Sequence, residues 1–274
     1  MRAVMQHETH RLDTLLQSVS EALGEVAASL QGGLYVPTPA IDALVQALST
    51  NQVPAAWAAL APHHSLPIGP AAGHRGGGSL PLGQWAKDTA ARFAFFRSWA
   101  SSVHPPATFR LSFFDNPMRL LVATLQEHAC QREVPLDLVH FRHKIHTSDV
   151  PPVAPQAGIL VAGLFLEAAT WVRNANRGAG RLSAPSLHEG VGPRPLPPVH
   201  FEPYVAHETH LQSGGGDSKP GTAEEARNAE GLFSCPMYRT SARRKVLDFV
   251  FLPTLEKEGL WALRGTCIVC CDDS

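Results

Sequence analysis

The stretch Gly158-Ile159-Leu160-Val161-Ala162-Gly163-Leu164-Phe165-Leu166 is an almost uninterrupted apolar run that begins at a glycine. A run of this length, rich in branched side chains and bordered by turn-forming segments, is typical of a buried β-strand. Shorter runs of the same kind lie on both sides, at 136–141, 198–201, 233–238, 246–251 and 265–270. Turn-rich segments separate these runs, which indicates an antiparallel sheet or a small barrel in the second half of the sequence.

The first part of the sequence shows the helical period instead. Apolar residues recur at steps of four and three from Leu12 to Leu30, which places a narrow apolar stripe on one face of a helix. Thr38-Pro39 and Asn116-Pro117 each combine a capping residue with a proline suited to the first helical position, so both predict helix starts. A further helix between them is predicted from one apolar stripe, formed by Trp85, Thr89, Phe93, Phe96 and Trp99.

The two periodicities predict two domains in an α+β fold. A helical subdomain is expected over 1–135 and a sheet subdomain over 136–274. Two inserts in the second subdomain, near 174–197 and 205–231, are rich in glycine, proline and polar residues. Such segments bury too little apolar surface to offset the entropy of ordering, so both are predicted to be disordered.

Composition excludes several classes of protein. The 274 residues include 24 acidic and 23 basic side chains, a net charge of −1, so no basic surface for nucleic acid is expected. No apolar run reaches the length of a membrane span, and the N-terminus lacks the apolar core of a signal peptide. The odd count of five cysteines does not suit a disulfide framework, which favours a reducing, cytoplasmic location.

The C-terminal cysteine cluster is the most distinctive chemical motif. Cys267, Cys270 and Cys271 form a Cys-x-x-Cys-Cys sequence, and thiolates at this spacing can bind zinc. However, the cluster lies in an apolar strand without a second Cys-x-x-Cys pair. The three cysteines are therefore weak metal candidates, and buried apolar strand residues are the favoured interpretation.

Other polar clusters give no assignment of chemistry. His140, His143 and His146 lie on a predicted strand and its exit, and they indicate a solvated edge rather than a set of metal ligands. Arg239, Arg243 and Arg244 indicate either a solvated turn between two strands or a docking surface for an acidic partner. Neither a phosphate-binding loop nor a nucleophile elbow is present. No catalytic residue, cofactor site or metal site is therefore predicted.

Seven motifs in order along the sequence resemble the C-terminal domain of dynein heavy chains, most of all the axonemal kind. The two most specific are Gly163-Leu164-Phe165-Leu166-Glu167-Ala168-Ala169-Thr170-Trp171 and Cys235-Pro236-Met237-Tyr238-Arg239-Thr240-Ser241-Ala242-Arg243. The other five lie at 6–16, 51–57, 79–99, 133–137 and 263–267. The resemblance extends over nearly all of the sequence.

The resemblance implies a helical segment followed by a mostly antiparallel β-barrel. It also implies a non-catalytic structural and regulatory module that packs on the AAA+ ring of a dynein heavy chain, in the same or a separate polypeptide, with the Leu12–Leu30 stripe on the ring. The motor's ATPase activity and microtubule binding would lie upstream. The expected partners are the ring and other subunits of the dynein complex, with microtubules reached only indirectly.

The same resemblance implies a contribution to ciliary movement, in the cytoplasm and cytoskeleton and in the axoneme of a cilium or flagellum. An alternative of another class also stands. In it, the protein is a free-standing zinc or thiol-redox protein that uses Cys267, Cys270 and Cys271.

Overall fold

The computed structural model describes residues 1–31, 38–61, 80–146, 154–173, 180–185, 192–206 and 231–270. The protein divides into two compact units, with the boundary of the described residues between Pro105 and Pro106. The first four helices form one unit. All of the described strands and the remaining helices belong to the other.

The helical unit contains α1 (Arg2–Gln31), α2 (Pro39–Ser49), α3 (Ala55–Leu60) and α4 (Leu82–Ala100). Helix α1 packs against the other three. None of the helices in the described part of the protein combines the length and apolar character that crossing a membrane requires.

The core of the helical unit is built around two tryptophans. Trp57 of α3 stacks on Trp85 of α4, with ring centroids 5.8 Å apart, and Leu15 of α1 lies in the same buried cluster. Partly buried side chains of α2, Leu44 and Leu48, pack against this cluster. Each helix therefore contributes apolar side chains to one shared core, which is the main source of stability for helices of this length.

The joint between α2 and α3 is fixed by backbone hydrogen bonds to the start of α4. Asn51 adopts a left-handed conformation with φ of 56°, and its carbonyl oxygen accepts a hydrogen bond from the Leu82 amide at 2.9 Å. Gln52 and Pro81 form a β-bridge beside it. At the start of α2, the Thr38 hydroxyl accepts a hydrogen bond from the Ile41 amide at 3.3 Å, as the cap-plus-proline sequence predicts.

The second unit begins with β1 (Phe109–Arg110), a 3₁₀ turn and α5 (Pro117–Arg132), and another 3₁₀ turn leads into β2. A short helix, α6 (Glu258–Leu263), precedes the last strand. The strands after β1 are β2 (Val139–Ile145), β3 (Ile159–Ala162), β4 (Leu164–Glu167), β5 (Thr170–Arg173), β6 (Gly180–Ser183), β7 (Arg194–Leu196), β8 (Val199–Val205), β9 (Leu232–Tyr238), β10 (Val246–Pro253) and β11 (Cys267–Val269).

These strands form three sheets. One has four strands in the order β1-β3-β8-β2, one has five in the order β10-β9-β11-β4-β7, and β5 pairs with β6 alone. Most neighbours are antiparallel, but β1 and β3 are parallel, as are β11 and β9. Helix α5 packs against β2 and β8.

The predicted α+β fold with a mostly antiparallel β-barrel after an N-terminal helical segment is therefore wrong. The described strands form separate open sheets and no closed barrel, and helices are mixed among them. The apolar run at 158–166 shows the physical reason. Gly163 has a φ of 70°, a conformation that glycine adopts at little cost, and it divides the run into β3 and β4. The two halves then join different sheets.

The two inserts for which disorder is predicted differ in how much of them the structure describes. Strands β6 and β7 lie within 174–197, and their residues pair with β5 and β4. Of the same insert, 174–179 and 186–191 lie outside the described residues. Most of the insert at 205–231, namely 207–230, also lies outside them.

A partly buried side-chain pair joins the two larger sheets. His143 of β2 places its Nε2 atom 3.2 Å from Oδ2 of Asp248 in β10, and only 2% of the His143 side chain is exposed. The His143 ring also packs edge-on against Phe201 and lies near Phe251. The prediction of a solvated histidine edge is thus wrong for His143, although it holds for His140, which is exposed.

The stacked tryptophans give a test of the helical core. Trp57→Ala removes a side chain that is 3% exposed, and we expect it to lower the free energy of unfolding of the helical unit by about 3–5 kcal/mol. Leu60→Ala is the matched control, since Leu60 lies on the same helix but is 38% exposed, and its loss should be less than about 1 kcal/mol. Denaturant unfolding of both variants measures this, and equal losses would contradict the packing described.

Candidate functional site

The end of strand β4 presents a carboxylate that side chains from two distant parts of the sequence contact. Glu167 is the last residue of β4, and Ala168 directly after it has a left-handed φ of 57°. The strand neighbour β11 places Cys267 opposite Glu167 in the sheet register. The turn between β9 and β10 reaches the same point. We call Glu167, Ser241, Arg243 and Cys267 the Glu167 cluster.

Three side chains donate hydrogen bonds to the two oxygens of Glu167. The Ser241 hydroxyl donates to Oε1. The Arg243 guanidinium donates to Oε2 at 2.7 Å, and the Cys267 thiol donates to the same oxygen at 3.4 Å. The donors lie 74, 76 and 100 positions from Glu167 in the sequence. The cluster therefore connects β4, the β9–β10 turn and β11 through one side chain.

The surroundings of Glu167 favour its charged form. Partial burial raises the pKa of this carboxyl, but the hydrogen bonds from Ser241, Arg243 and Cys267 outweigh that effect and leave the pKa below its ordinary value. The bond to Glu167 in turn raises the pKa of Arg243, against the opposing effect of burial. An ion pair with further donors on the same carboxylate is stronger than an isolated surface pair.

A second arginine of the β9–β10 turn region, Arg239, fixes the end of strand β9. Arg239 follows β9 directly, and its guanidinium donates to the backbone carbonyl of Phe114 at 2.8 Å and to that of Asp115. Arg239 is half-buried and makes internal contacts, so the interpretation of the arginine cluster as a solvated turn does not describe it. Arg243 lies in the exposed turn, as that interpretation predicts, but it also pairs with Glu167. Arg244 is exposed.

Of the three cysteines predicted as weak metal candidates, the structure describes Cys267 and Cys270. Cys267 is fully buried in β11 beside Phe165 and Val269, and Cys270 is buried just after the strand. Cys271 lies outside the described residues. Cys235 of β9 is also fully buried, and burial raises the pKa of its thiol far above the ordinary value.

Little in the described part of the protein points to metal or redox chemistry. Its four cysteines form no disulfide bond, and no three of its histidine, cysteine, aspartate or glutamate side chains are grouped as a metal ion requires. The Cys267 thiol hydrogen is directed to a carboxylate, which is a structural contact. The zinc or thiol-redox alternative stays a prediction that metal analysis of the purified protein decides.

The three strand-region motifs of the sequence meet at this cluster. Glu167 comes from the motif at 163–171, Ser241 and Arg243 from that at 235–243, and Cys267 from that at 263–267. The sequence alone assigns no polar role to Glu167, to Ser241 or to the Arg–Glu pair, because nothing local marks side chains that meet across so many residues. The signal that the sequence does offer is that these residues belong to motifs of specific sequence.

The described residues thus form a helical unit and a sheet unit, and the sheet unit contains an internal polar junction at Glu167. The family model for the C-terminal domain of the dynein heavy chain matches residues 1–270. The protein therefore belongs to this family of dynein C-terminal domains.

Individual relatives agree with the family match. The protein is 26% identical to dynein axonemal heavy chain 2 of Homo sapiens over 283 residues, which span 100% of this sequence and 6% of that protein. It is 27% identical to the dynein-1-beta heavy chain, flagellar inner arm I1 complex, of Chlamydomonas reinhardtii, over 98% of this sequence and 5% of that protein. The 274 residues thus span only a small share of the length of the relatives they match, and the match is to their C-terminal domain and not to ATPase modules.

The Glu167 cluster predicts a measurable loss of stability on neutralisation. Glu167→Gln keeps the shape of the side chain but removes the charge that Arg243 faces, so we expect the free energy of unfolding to fall by about 2 kcal/mol at neutral pH. Glu202→Gln is the matched control. Glu202 pairs with Lys144 at 2.6 Å, but the Lys144 side chain is 56% exposed, so its loss should be less than about 1 kcal/mol.

Comparison of the wild type with Glu167→Gln also tests the direction of the pKa shift of Glu167. A carboxyl whose pKa is lowered in the folded state stabilises the fold above its ordinary pKa of 4.5, and this contribution is lost as pH falls through the lower folded value. The stability difference between wild type and Glu167→Gln should therefore be constant from about pH 6 to about pH 8 and shrink below about pH 4. A difference that grows in acid would contradict the assignment.

Proposed function

We propose that this protein is the non-catalytic C-terminal structural and regulatory module of an axonemal-type dynein heavy chain. In this role it packs on the AAA+ ring of the motor and contributes to microtubule-based movement of a cilium or flagellum. The single observation that supports the proposal most is the family match over residues 1–270. The names of the relatives, which are axonemal and flagellar heavy chains, support the axonemal setting.

The proposal separates this domain from the chemistry of the motor. ATP hydrolysis belongs to AAA+ modules, and the matched region is only 6% of a relative such as dynein axonemal heavy chain 2. The partners of the domain are then the AAA+ ring, in the same or a separate polypeptide, and other subunits of the dynein complex, with microtubules reached only through the motor. Its location is the cytoplasm and cytoskeleton, and within them the axoneme.

Helix α1 offers the surface that suits packing on the ring. In its first half, the stripe residues Leu12 and Leu15 are buried, at 5% and 1% exposure, and Leu15 packs in the core of the helical unit. In its second half, Val26 is buried at 9% exposure, whereas Leu23 and Leu30 of the same apolar stripe are 42% and 70% exposed. An apolar stripe that continues beyond the core it serves is typical of a helix that packs against a further surface.

The exposed part of the stripe gives the test. We expect Leu23→Glu to reduce binding of the 274-residue protein to an axonemal heavy-chain motor fragment that lacks its own C-terminal domain, by about tenfold or more, because a charge then enters an apolar contact. The melting temperature should change by less than about 2 °C, since Leu23 is already partly solvated. Pull-down titration and a thermal melt measure the two effects on the same preparation.

Val103→Glu is the matched control for this experiment. Val103 is an exposed apolar residue of the same unit, at 94% exposure, but it lies outside α1. Its substitution should leave both binding and melting unchanged. If Leu23→Glu lowers melting as much as binding, or if Val103→Glu weakens binding equally, α1 is not the packing surface.

A further inference from the structure

We propose that Ser241 is a phosphorylation site for a basophilic serine kinase, and that its phosphate releases the β9–β10 turn from Glu167. Nothing in the proposed packing role requires such a site, so this inference goes beyond it. It rests on three observations about the turn: its charge, its exposure and the bond that the Ser241 hydroxyl makes.

The charge around Ser241 suits a kinase that selects basic substrates. The sequence Arg239-Thr240-Ser241-Ala242-Arg243-Arg244-Lys245 has four basic residues among seven and no acidic one. Basic residues lie two positions before the serine and two, three and four positions after it. Kinases choose substrates largely by such charge patterns around the acceptor.

The position of Ser241 makes its hydroxyl accessible. It lies in the connection between β9 and β10, outside both strands, and residues 241–245 are all exposed. A turn bond from the Arg243 amide to the Thr240 carbonyl, at 3.0 Å, holds the acceptor at the tip of the connection. Exposed tips of this kind are the parts of a domain that open locally at least cost.

The reaction itself is an ordinary phosphoryl transfer with ATP as the donor. The Ser241 Oγ atom attacks the γ-phosphorus of ATP, the bond from that phosphorus to the β,γ-bridging oxygen breaks, and ADP leaves. The hydroxyl proton passes to the kinase's base and then to solvent. No oxidant or reductant takes part.

The product reverses the role of Ser241 in the Glu167 cluster. The hydroxyl now donates to the Glu167 carboxylate, whereas a phosphoserine has a charge of about −1.5 to −2 and accepts hydrogen bonds. Two anions in that contact repel each other. Arg243, which now donates to Glu167 at 2.7 Å, lies two residues away and is the natural partner for the phosphate.

Phosphorylation therefore removes two of the three side-chain donors from Glu167. Of the three, the Cys267 thiol then remains on that carboxylate. The turn is no longer fixed to β4 and β11, and the paired ends of these two inner strands of the five-stranded sheet open more often. Cys267 reports this opening, because it is fully buried and its thiol is directed at Glu167 in the unmodified protein.

The experiment uses the 274-residue protein with ATP and two purified basophilic kinases, one that selects arginine before the serine and one that selects basic residues after it. Peptide mass spectrometry should show a phosphoryl group on Ser241. Alkylation of Cys267, followed in the same digests, should become roughly tenfold faster in the phosphorylated protein, as expected from the loss of charge-assisted bonds. A retained cooperative melt shows that the domain is still folded.

Matched variants make the result specific. Ser241→Ala should abolish the label, Ser241→Thr should restore it, and Thr240→Ala should leave it in place. Failure of both kinases to modify Ser241 in the folded protein overturns the proposal. So does a label on Ser241 with unchanged alkylation of Cys267, because the phosphate would then leave the Glu167 cluster intact.

Discussion

The sheet unit depends on how one carboxylate, Glu167, connects segments that are far apart in the sequence. Short strands pair weakly at their ends, and β4 and β11 have only four and three residues. Glu167 offsets this weakness because its two oxygens accept hydrogen bonds from Ser241, Arg243 and Cys267 at once. Loop closure over such sequence separations is entropically costly, so charge-assisted bonds at the point of closure help to define the register of the sheet.

The helical unit connects segments that are distant in the sequence in another way. There the joint after α2 is fixed to the start of α4 by a backbone bond from Leu82 to Asn51 and by the bridge between Gln52 and Pro81. The Trp57–Trp85 stack lies in the core beside this joint. Backbone bonds and apolar stacking change little with pH or charge modification, whereas the Glu167 cluster is sensitive to both. The two units therefore differ in how they respond to chemical change.

Local elements can be predicted from this sequence far better than their pairing. The cap at Thr38-Pro39, the stripe from Trp85 to Trp99 and the strands β9 and β10 follow from periods and turn residues within a few positions. The glycine at 163 signals a bend in the apolar run, but it does not show that the two halves join different sheets, since an apolar run looks the same whether both halves join one sheet or two. Burial of Arg92 beside Asp88, at 2.9 Å, is equally hidden, because a hydrophobic stripe assigns charged residues to the surface.

The candidate site is the part least accessible from the sequence, and the reason is physical. A cysteine cluster is visible in a sequence because its members are neighbours, and this makes Cys267, Cys270 and Cys271 stand out. What Cys267 does is set by Glu167, 100 positions away, and that contact makes the thiol of a metal candidate a hydrogen-bond donor. A motif with a specific sequence but no evident chemistry can thus mark a place where segments that are distant in the sequence come into contact. In a domain proposed to brace a motor ring, such a contact is also where a single added charge would alter the stiffness of the domain.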